Sequence, residues 1–270
     1  MPRSNVKLGQ NFLIDDLIIN NIINELSLPN CSYIEIGPGK GALTIPLVNS
    51  GRAFTAVELD SSLIDFLSKK NLSGKVKFIN QDAVNVNYRT IYDATDKKKL
   101  FVFGNLPYQI ASQLMLKMRL YNDITEKMVF MVQKEVADRI VAKPSTNHYG
   151  RLSVMLQAWC YAERLFDVGP ESFNPPPKVN STVFSAIPSP REKTQNMDWD
   201  FFEKIVAKSF CHKRKMLYST FKIFFSPESW ESMGFNISSR PANLTVDDYI
   251  NLTLELQKQN VKDVLTRLKA

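Results

Sequence analysis

The stretch Ser32-Tyr-Ile-Glu-Ile-Gly-Pro-Gly-Lys-Gly41 decides the fold that this chain is predicted to adopt. Residues 32–36 form a mostly apolar run typical of a buried parallel strand, and a helical pattern follows from residue 42. A glycine-rich turn between a strand and a helix lets the main chain approach a ligand and points amide groups at it. The stretch therefore predicts an α/β domain with a ligand site at this turn, contacted by Gly37 and Gly39.

Acidic residues follow the next two predicted strands. Phe54 to Val57 is one strand and ends at Glu58, and Val76 to Ile79 is the other, followed by Asp82. A carboxylate at the first end can accept hydrogen bonds from both hydroxyls of a ribose. A carboxylate at the second end can accept a hydrogen bond from the exocyclic amine of adenine. Together they predict a nucleoside-containing cofactor.

The glycine loop and Glu58 alone leave two cofactors open, NAD and S-adenosylmethionine. The spacing Glu35-x-Gly37-x-Gly39-x-Gly41 is the alternation typical of methyltransferases rather than the dinucleotide spacing. A dinucleotide fold has no need of an acid at Asp82, so both features favour S-adenosylmethionine. A simple helix cap is the alternative for Asp82.

The stretch Gly104-Asn105-Leu106-Pro107-Tyr108 follows another apolar strand, Leu100 to Phe103. Ligands bind beyond the carboxyl ends of such strands. The Asn105 side-chain oxygen can accept a hydrogen bond from an exocyclic amine, and the Tyr108 ring can stack on a base. The alternative is a tight turn with a capping asparagine.

Composition narrows the class of protein. The chain has 270 residues, 44% of them hydrophobic, and a net charge of +7, which favours a polyanionic partner such as nucleic acid. Three cysteines lie far apart and only two histidines occur, so we expect a reducing compartment and no metal site. No apolar run approaches the ~18 residues that span a bilayer. We therefore expect a cytoplasmic protein without a membrane partner.

Domain boundaries follow from a change of pattern. Residues 1–187 read as the α/β domain, with residues 1–14 as a segment over the cofactor, and residues 188–199 read as a proline-containing linker. Residues 200–270 switch to helical spacing and form a small all-helical domain. A basic helix containing Lys213, Arg214 and Lys215 would contact RNA; a solvated helix face is the alternative.

These motifs resemble those of the bacterial ribosomal RNA adenine N6,N6-dimethyltransferases. The matching segments run from near residue 8 to about residue 250. They are Leu8-Gly-Gln-Asn-Phe-Leu13, Glu35-Ile-Gly-Pro-Gly-Lys-Gly-Ala-Leu-Thr44, Val57-Glu-Leu-Asp60, Gln81-Asp-Ala83, Asn105-Leu-Pro-Tyr108, Phe173-x-Pro-Pro-Pro-Lys-Val179, Phe210-x-x-Lys-Arg-Lys215 and Ser239-Arg-Pro-Ala242.

The resemblance implies a Rossmann-like, class I methyltransferase sheet of seven strands with a small helical domain after it. The substrate would be two adjacent adenosines in the 3′-terminal hairpin loop of 16S ribosomal RNA, within an immature 30S particle, modified by a monomer that also serves as a checkpoint of small-subunit assembly. S-adenosylmethionine would be bound by Asn11, Leu13, Gly37, Gly39, Glu58, Asp82 and Asn105.

The expected catalytic residues act on the adenine amine. The Asn105 side chain and the Leu106 carbonyl would accept its two hydrogens, and Tyr108 and Phe173 would stack on the flipped base. Lys178 joins the basic helix as an expected RNA contact.

Three other functions stay open on these residues. A large-subunit ribosomal RNA adenine methyltransferase shares the cofactor motifs and the Asn-x-Pro-Tyr turn, although the proline run after Phe173 favours the small-subunit substrate. A ribosome-assembly factor whose methylation is secondary belongs to a different class. A small-molecule methyltransferase would leave the basic carboxy-terminal segment unexplained.

Overall fold

The structure, a computed structural model, describes residues 11–28, 30–70, 72, 74–96, 98–107, 110–189 and 191–269. The chain divides into two units. The first comprises Met1–Ala137 and Tyr161–Pro188, and the second comprises Asp138–Cys160 and Ser189–Ala270. The predicted division differs for residues 138–160, which belong to the same unit as the carboxy-terminal helices.

The first unit is built on a seven-stranded sheet and a two-stranded ladder. The strands are β1 (Phe12–Leu13), β2 (Ser32–Ile36), β3 (Phe54–Glu58), β4 (Val76–Asn80), β5 (Leu100–Asn105), β6 (Thr125–Gln133), β7 (Cys160–Val168), β8 (Phe173–Asn174) and β9 (Ser181–Pro188). The sheet has the order β4-β3-β2-β5-β6-β9-β7, and β1 pairs with β8. This arrangement confirms the predicted α/β class with its seven strands.

The directions and order of the strands indicate where a ligand would bind. Strands β4, β3, β2, β5 and β6 are parallel, and β9 runs antiparallel to β6. The chain winds outward from β2 in one direction and from β5 in the other. Open α/β sheets bind ligands at such a reversal, beyond the carboxyl ends of the strands.

Helices connect and flank the strands, and they also form most of the second unit. They are α1 (Asp16–Glu25), α2 (Thr44–Asn49), α3 (Ser61–Ser68), α4 (Tyr88–Asp93), α5 (Ala111–Met118), α6 (Lys134–Ile140), α7 (Arg151–Gln157), α8 (Trp199–Phe210), α9 (Tyr218–Phe221), α10 (Pro227–Ser232), α11 (Val246–Gln257) and α12 (Val261–Lys269). Among the described residues, none of these helices has the length and apolar character to cross a membrane.

The central strands are buried on both faces. Ile34 of β2 and Val102 of β5 are direct neighbours and fully buried. Tyr33 stacks on Phe101 with ring centroids 5.3 Å apart. Burial of each such large apolar side chain contributes about 1.5–3 kcal/mol to stability. The packing of β2 and β5 therefore holds the residues at their carboxyl ends in fixed positions, as a ligand-binding site requires.

The second unit has an aromatic core. Phe210 of α8 stacks on Tyr249 of α11, with centroids 5.7 Å apart. Trp230 of α10 is fully buried and contacts the rings of Phe221 and Phe235. These contacts hold together helices that the sequence pattern identified only as amphipathic.

Two sequence predictions about the carboxy-terminal half need correction. Residues 188–199 are not a simple linker, because Thr194 and Met197 are buried in the second unit and the Arg191 guanidinium pairs with Asp247 at 2.6 Å. The basic residues 213–215 lie in a turn, not in a helix, because α8 ends at Phe210.

Candidate active site

A cavity of about 380 Å³ lies at the carboxyl ends of β2, β3 and β5. Its volume falls in the range of small-molecule sites, roughly 300–1,000 Å³. The structure brings most of the predicted cofactor and catalytic residues of the first unit to this cavity. Those that line it are Asn11, Leu13, Gly37, Gly39, Glu58, Asn105, Leu106 and Phe173.

The glycine-rich loop after β2 forms one wall. Gly39 has a φ of +55°, a conformation that side chains with a Cβ rarely adopt. A Cβ there would lie 3.2 Å from the Phe12 ring, so the ring packs directly on the main chain. The Lys40 ammonium lies 4.2 Å from the centroid of the same ring. Phe12 was not predicted as a site residue, although it lies within the motif Leu8-Gly-Gln-Asn-Phe-Leu13.

The Glu58 carboxylate is held in a fixed position by the main chain. It accepts hydrogen bonds from the Gly39 amide at 3.3 Å and from the Asp60 amide at 3.0 Å. Burial raises the pKa of Glu58, and these two hydrogen bonds oppose the rise. A carboxylate has about four acceptor positions, so two amides leave capacity for a ligand diol.

Glu35 is a second acid in the cavity wall, which the sequence prediction missed. Its side chain is 2% exposed, and the Thr44 hydroxyl donates a hydrogen bond to its Oε2 at 2.6 Å. Burial raises the pKa of Glu35 to about 8; the Thr44 hydrogen bond opposes the rise and the charge of Glu58 adds to it. The position of Glu35 at the start of the glycine motif could have identified it as a site residue.

Asp82 does not line the cavity. Its carboxylate accepts hydrogen bonds from the Val84 amide at 2.9 Å and from the Asn85 side chain at 3.3 Å, and so caps a short 3₁₀ turn. In this structure the Asp82 side chain therefore acts as a cap, which was the alternative to a ligand contact in the sequence analysis. Asp82 nonetheless lies two residues after the end of β4, where Asn80 pairs with Glu58 of β3.

The end of β5 and the residues after it form a wall next to the glycine loop, since a Cβ on Gly37 would lie 3.7 Å from the Asn105 carbonyl oxygen. Gly104 passes so close to β2 that a Cβ on it would lie 2.2 Å from the Ile36 carbonyl oxygen. The Leu106 amide donates to the Met131 carbonyl at 3.0 Å, which fixes the peptide that follows Asn105. Tyr108, predicted to stack on the base, lies outside the described residues.

The Asn105 side chain has a defined orientation. Its amide nitrogen donates a hydrogen bond to the main-chain carbonyl of Asn11 at 3.4 Å. The Asn105 side-chain oxygen takes no part in that hydrogen bond, and it is the atom that the sequence analysis predicts to accept from an amine.

The two-stranded ladder closes the cavity. Phe12 pairs with Asn174 and Leu13 pairs with Phe173, and the Phe173 ring is 4% exposed. Residues 11–14 therefore line the cavity, as do residues 173 and 174. Residues 1–10 of the predicted covering segment lie outside the described residues.

The predicted RNA-contacting residues are solvent-exposed. In the first unit, Lys178 lies in the segment after β8 and does not line the cavity. In the second unit, Lys213, Arg214 and Lys215 are exposed in the turn after α8. Exposed cations of this kind are able to pair with phosphates.

The chemistry of the cavity lining fits S-adenosylmethionine. The glycine loop lines the cavity through Gly37, Gly39 and Gly41, whose main chain no side chain covers from within the same residue. Glu58 can accept hydrogen bonds from a ribose diol, whereas the raised pKa of Glu35 keeps that buried side chain largely protonated and therefore uncharged at neutral pH.

Comparison with known proteins agrees with this geometry. A family model for ribosomal RNA adenine dimethylase matches residues 1–258. A relative from Alcanivorax borkumensis, named ribosomal RNA small subunit methyltransferase A, is 38% identical over 251 residues, which cover 93% of this chain and 89% of the relative.

Solved structures share the fold. A dimethyladenosine transferase from Plasmodium falciparum has a TM-score of 0.74 at 24% identity, covering 92% of this chain and 98% of its own. A 23S rRNA methyltransferase, ErmE, has a TM-score of 0.67 at 21% identity, covering 92% and 100%. The chain belongs to the ribosomal RNA adenine dimethylase family, whose members transfer methyl groups from S-adenosylmethionine to adenines of ribosomal RNA.

Proposed function

We propose that this chain dimethylates N6 of two adjacent adenosines in the 3′-terminal hairpin loop of 16S ribosomal RNA, within an immature 30S particle in the cytoplasm. The name of the 38% identical relative, a small-subunit methyltransferase, supports this choice of subunit. We further propose that the chain acts as a monomer.

The orientation of Asn105 carries the proposal. The lone pair of an adenine amine is delocalised into the ring, so the amine is a poor nucleophile. Acceptors on both of its hydrogens favour a pyramidal nitrogen with an available lone pair. The Asn105 side-chain oxygen is one such acceptor, because its amide nitrogen is held by the Asn11 carbonyl. The Leu106 carbonyl is the other, on a peptide fixed by β6.

Two aromatic side chains are proposed to hold the target adenine by stacking. Phe173 is buried at the cavity wall and would stack on one face of the flipped adenine, a contact of roughly 1–3 kcal/mol. Tyr108 is proposed for the other face. When bound, S-adenosylmethionine supplies a methyl group on a good leaving group, so no strong base is required of the protein. The proton of the product amine passes to water.

The cofactor roles follow the geometry. Glu58 would hold the ribose diol, Gly37 and Gly39 would contact the cofactor through main chain, and Asn11 and Leu13 would cover it. Asp82 stays a predicted contact of the adenine amine, although its two carboxylate oxygens already accept hydrogen bonds from the Val84 amide and the Asn85 side chain. Lys178 and the basic turn 213–215 would contact ribosomal RNA phosphates.

The test is transfer of tritiated methyl groups to 30S and 50S particles that lack the modification, followed by nucleoside analysis. We expect dimethyladenosine in 30S particles alone. Labelling of 50S particles instead would assign the chain to the large-subunit activity. An Asn105→Ala variant that still binds 30S particles and delays their maturation would support the assembly checkpoint role.

A further inference from the structure

Ser172 joins the two segments that close the cavity. Its side chain is 4% exposed, and its hydroxyl donates a hydrogen bond to Oδ2 of Asp15 at 2.9 Å. The other oxygen of Asp15, Oδ1, accepts from the amides of Leu17 and Ile18 at the start of α1. One carboxylate thus caps a helix and fastens a distant loop.

The main chain adds to this connection. The Ile14 amide donates to the Ser172 carbonyl at 2.9 Å, next to the pairing of β1 with β8. We name residues 12–15 and 172–174 together the clasp. The hydrogen bond from Ser172 is the largest of the causes that lower the pKa of Asp15, so the carboxylate accepts this bond in its ionised form.

The clasp reaches both halves of the reaction site. On one side, the Phe12 ring lies on Gly39 in the cofactor loop. On the other side, Phe173 lines the acceptor wall, and Asn11, directly before the clasp, orients the Asn105 amide. A displacement of residues 11–14 would therefore move the cofactor cover and release the Asn105 side chain together.

We infer that Ser172 is a positioning residue for methyl transfer, acting through Asp15 and Ile14 on the Asn11–Asn105 hydrogen bond. This inference rests on the proposed function, because it assigns Ser172 to the geometry of the same acceptor site. Ser172 does not line the cavity, so it is not assigned a contact with the adenine or the cofactor.

The first measurement is independent of activity. Hydrogen–deuterium exchange followed by mass spectrometry on residues 11–18 should show faster exchange of the Ile14 amide in Ser172→Ala, and calorimetric titration should show weaker binding of S-adenosylhomocysteine. The matched control is Ser27→Ala, which removes a hydroxyl that donates to Asn24 at the other end of α1. Unchanged Ile14 exchange in Ser172→Ala overturns the inference, as does equal exchange in both variants.

The second measurement is kinetic. Loss of one hydrogen bond to a charged partner predicts a kcat for 30S methylation that is roughly tenfold lower in Ser172→Ala. The KM for 30S particles should stay within about twofold, because the residue acts on geometry rather than on RNA binding. A rise in KM with unchanged kcat contradicts the assignment.

A double variant separates the clasp from a general loss of packing. If Ser172 acts through Asp15, Ser172→Ala should lower kcat no further in an Asp15→Ala background. Additive losses overturn the inference. If wild-type protein transfers no methyl groups to 30S particles, the proposed function fails, whereas Ile14 exchange and S-adenosylhomocysteine affinity still decide whether Ser172 holds the clasp.

Discussion

The Asn105 side chain donates a hydrogen bond to the main-chain carbonyl of Asn11 at 3.4 Å. This bond connects the amino-terminal segment to the end of β5. In the proposed mechanism, this bond leaves the Asn105 side-chain oxygen to accept from the incoming amine. The proposed cofactor cover and the proposed acceptor site are therefore parts of one arrangement, and its members can be tested separately.

Asn105→Ala should reduce transfer to 30S particles on the order of 100-fold, the scale seen when one preorganised hydrogen-bonding group is removed from a reaction site. Binding of S-adenosylhomocysteine should stay within about tenfold, because one uncharged hydrogen bond contributes ~1 kcal/mol net. Tritium transfer and calorimetry measure the two effects. Asn49→Ala, at an exposed end of α2, is the control. Full turnover by Asn105→Ala would remove this residue from the proposed mechanism.

Glu58→Gln should weaken cofactor binding by about 10- to 100-fold, because a neutral amide replaces a carboxylate that accepts charge-assisted hydrogen bonds from the ribose. Titration calorimetry with S-adenosylmethionine measures the affinity. Glu126→Gln is the matched control, since Glu126 forms an exposed ion pair with Lys99 at 3.5 Å. An affinity equal to that of wild type would refute the ribose role of Glu58.

The stability of the protein without cofactor should fall as pH rises from about 4.5 to 8, in part through Glu35. Its folded-state pKa is about 8, above the ordinary value of 4.5. In that window the folded chain retains a proton that the unfolded chain has released, so the free energy of unfolding decreases with pH. The scale is about 1.4 kcal/mol per pKa unit.

Glu35→Gln should flatten this dependence, because the amide stays neutral at every pH while its oxygen still accepts from Thr44. Thermal unfolding from pH 5 to pH 9 checks the prediction, with the variant gaining stability relative to wild type toward pH 9. Parallel curves for the two proteins would show that Glu35 ionises normally in the folded chain.

Replacing Lys213, Arg214 and Lys215 with alanine should weaken binding to 30S particles and reduce the salt dependence of that binding. Each lost phosphate contact lowers the slope of log affinity against log salt concentration by about 1, so a change of roughly 2–3 is expected. Filter binding at several salt concentrations measures it. Lys262→Ala on α12 is the single-charge control, and an unchanged slope in the triple variant would exclude RNA contact by the basic turn.

Gly104→Ala should destabilise the first unit by about 1–3 kcal/mol or more, because its Cβ would lie 2.2 Å from the Ile36 carbonyl oxygen, which is main chain and cannot turn aside. Gly51→Ala is the control, since Gly51 also has a positive φ, +92°, but no atom lies within 4 Å of its Cβ position. Thermal unfolding should show a larger loss for Gly104→Ala. Equal losses would mean that only backbone conformation matters at Gly104.

Sequence reasoning succeeded where short patterns have a direct structural meaning. The apolar strand before Gly37 and the acid after the next strand predicted where β2 and β3 end, and both Gly37 and Glu58 line the cavity. Parallel strands buried on both faces appear in the sequence as continuous apolar runs, which can be recognised without knowing their distant partners.

Features that depend on distant partners were not predictable in the same way. The pairing of Phe12 with Asn174 involves two-residue strands with no periodicity of their own. The packing of residues 138–160 with the carboxy-terminal helices is also a long-range property. The turn at residues 213–215 contains no glycine or proline to mark the end of α8. Asp82 was ambiguous for a different reason. An acidic residue after a strand can cap a following turn as well as bind a ligand, and the sequence does not distinguish the two roles.

The pairing of β1 with β8 has a consequence for biosynthesis. The amino-terminal strand emerges from the translating ribosome long before its partner, so the proposed reaction site cannot form until residue 174 has been synthesised. We therefore expect chains that end before this strand to transfer no methyl groups.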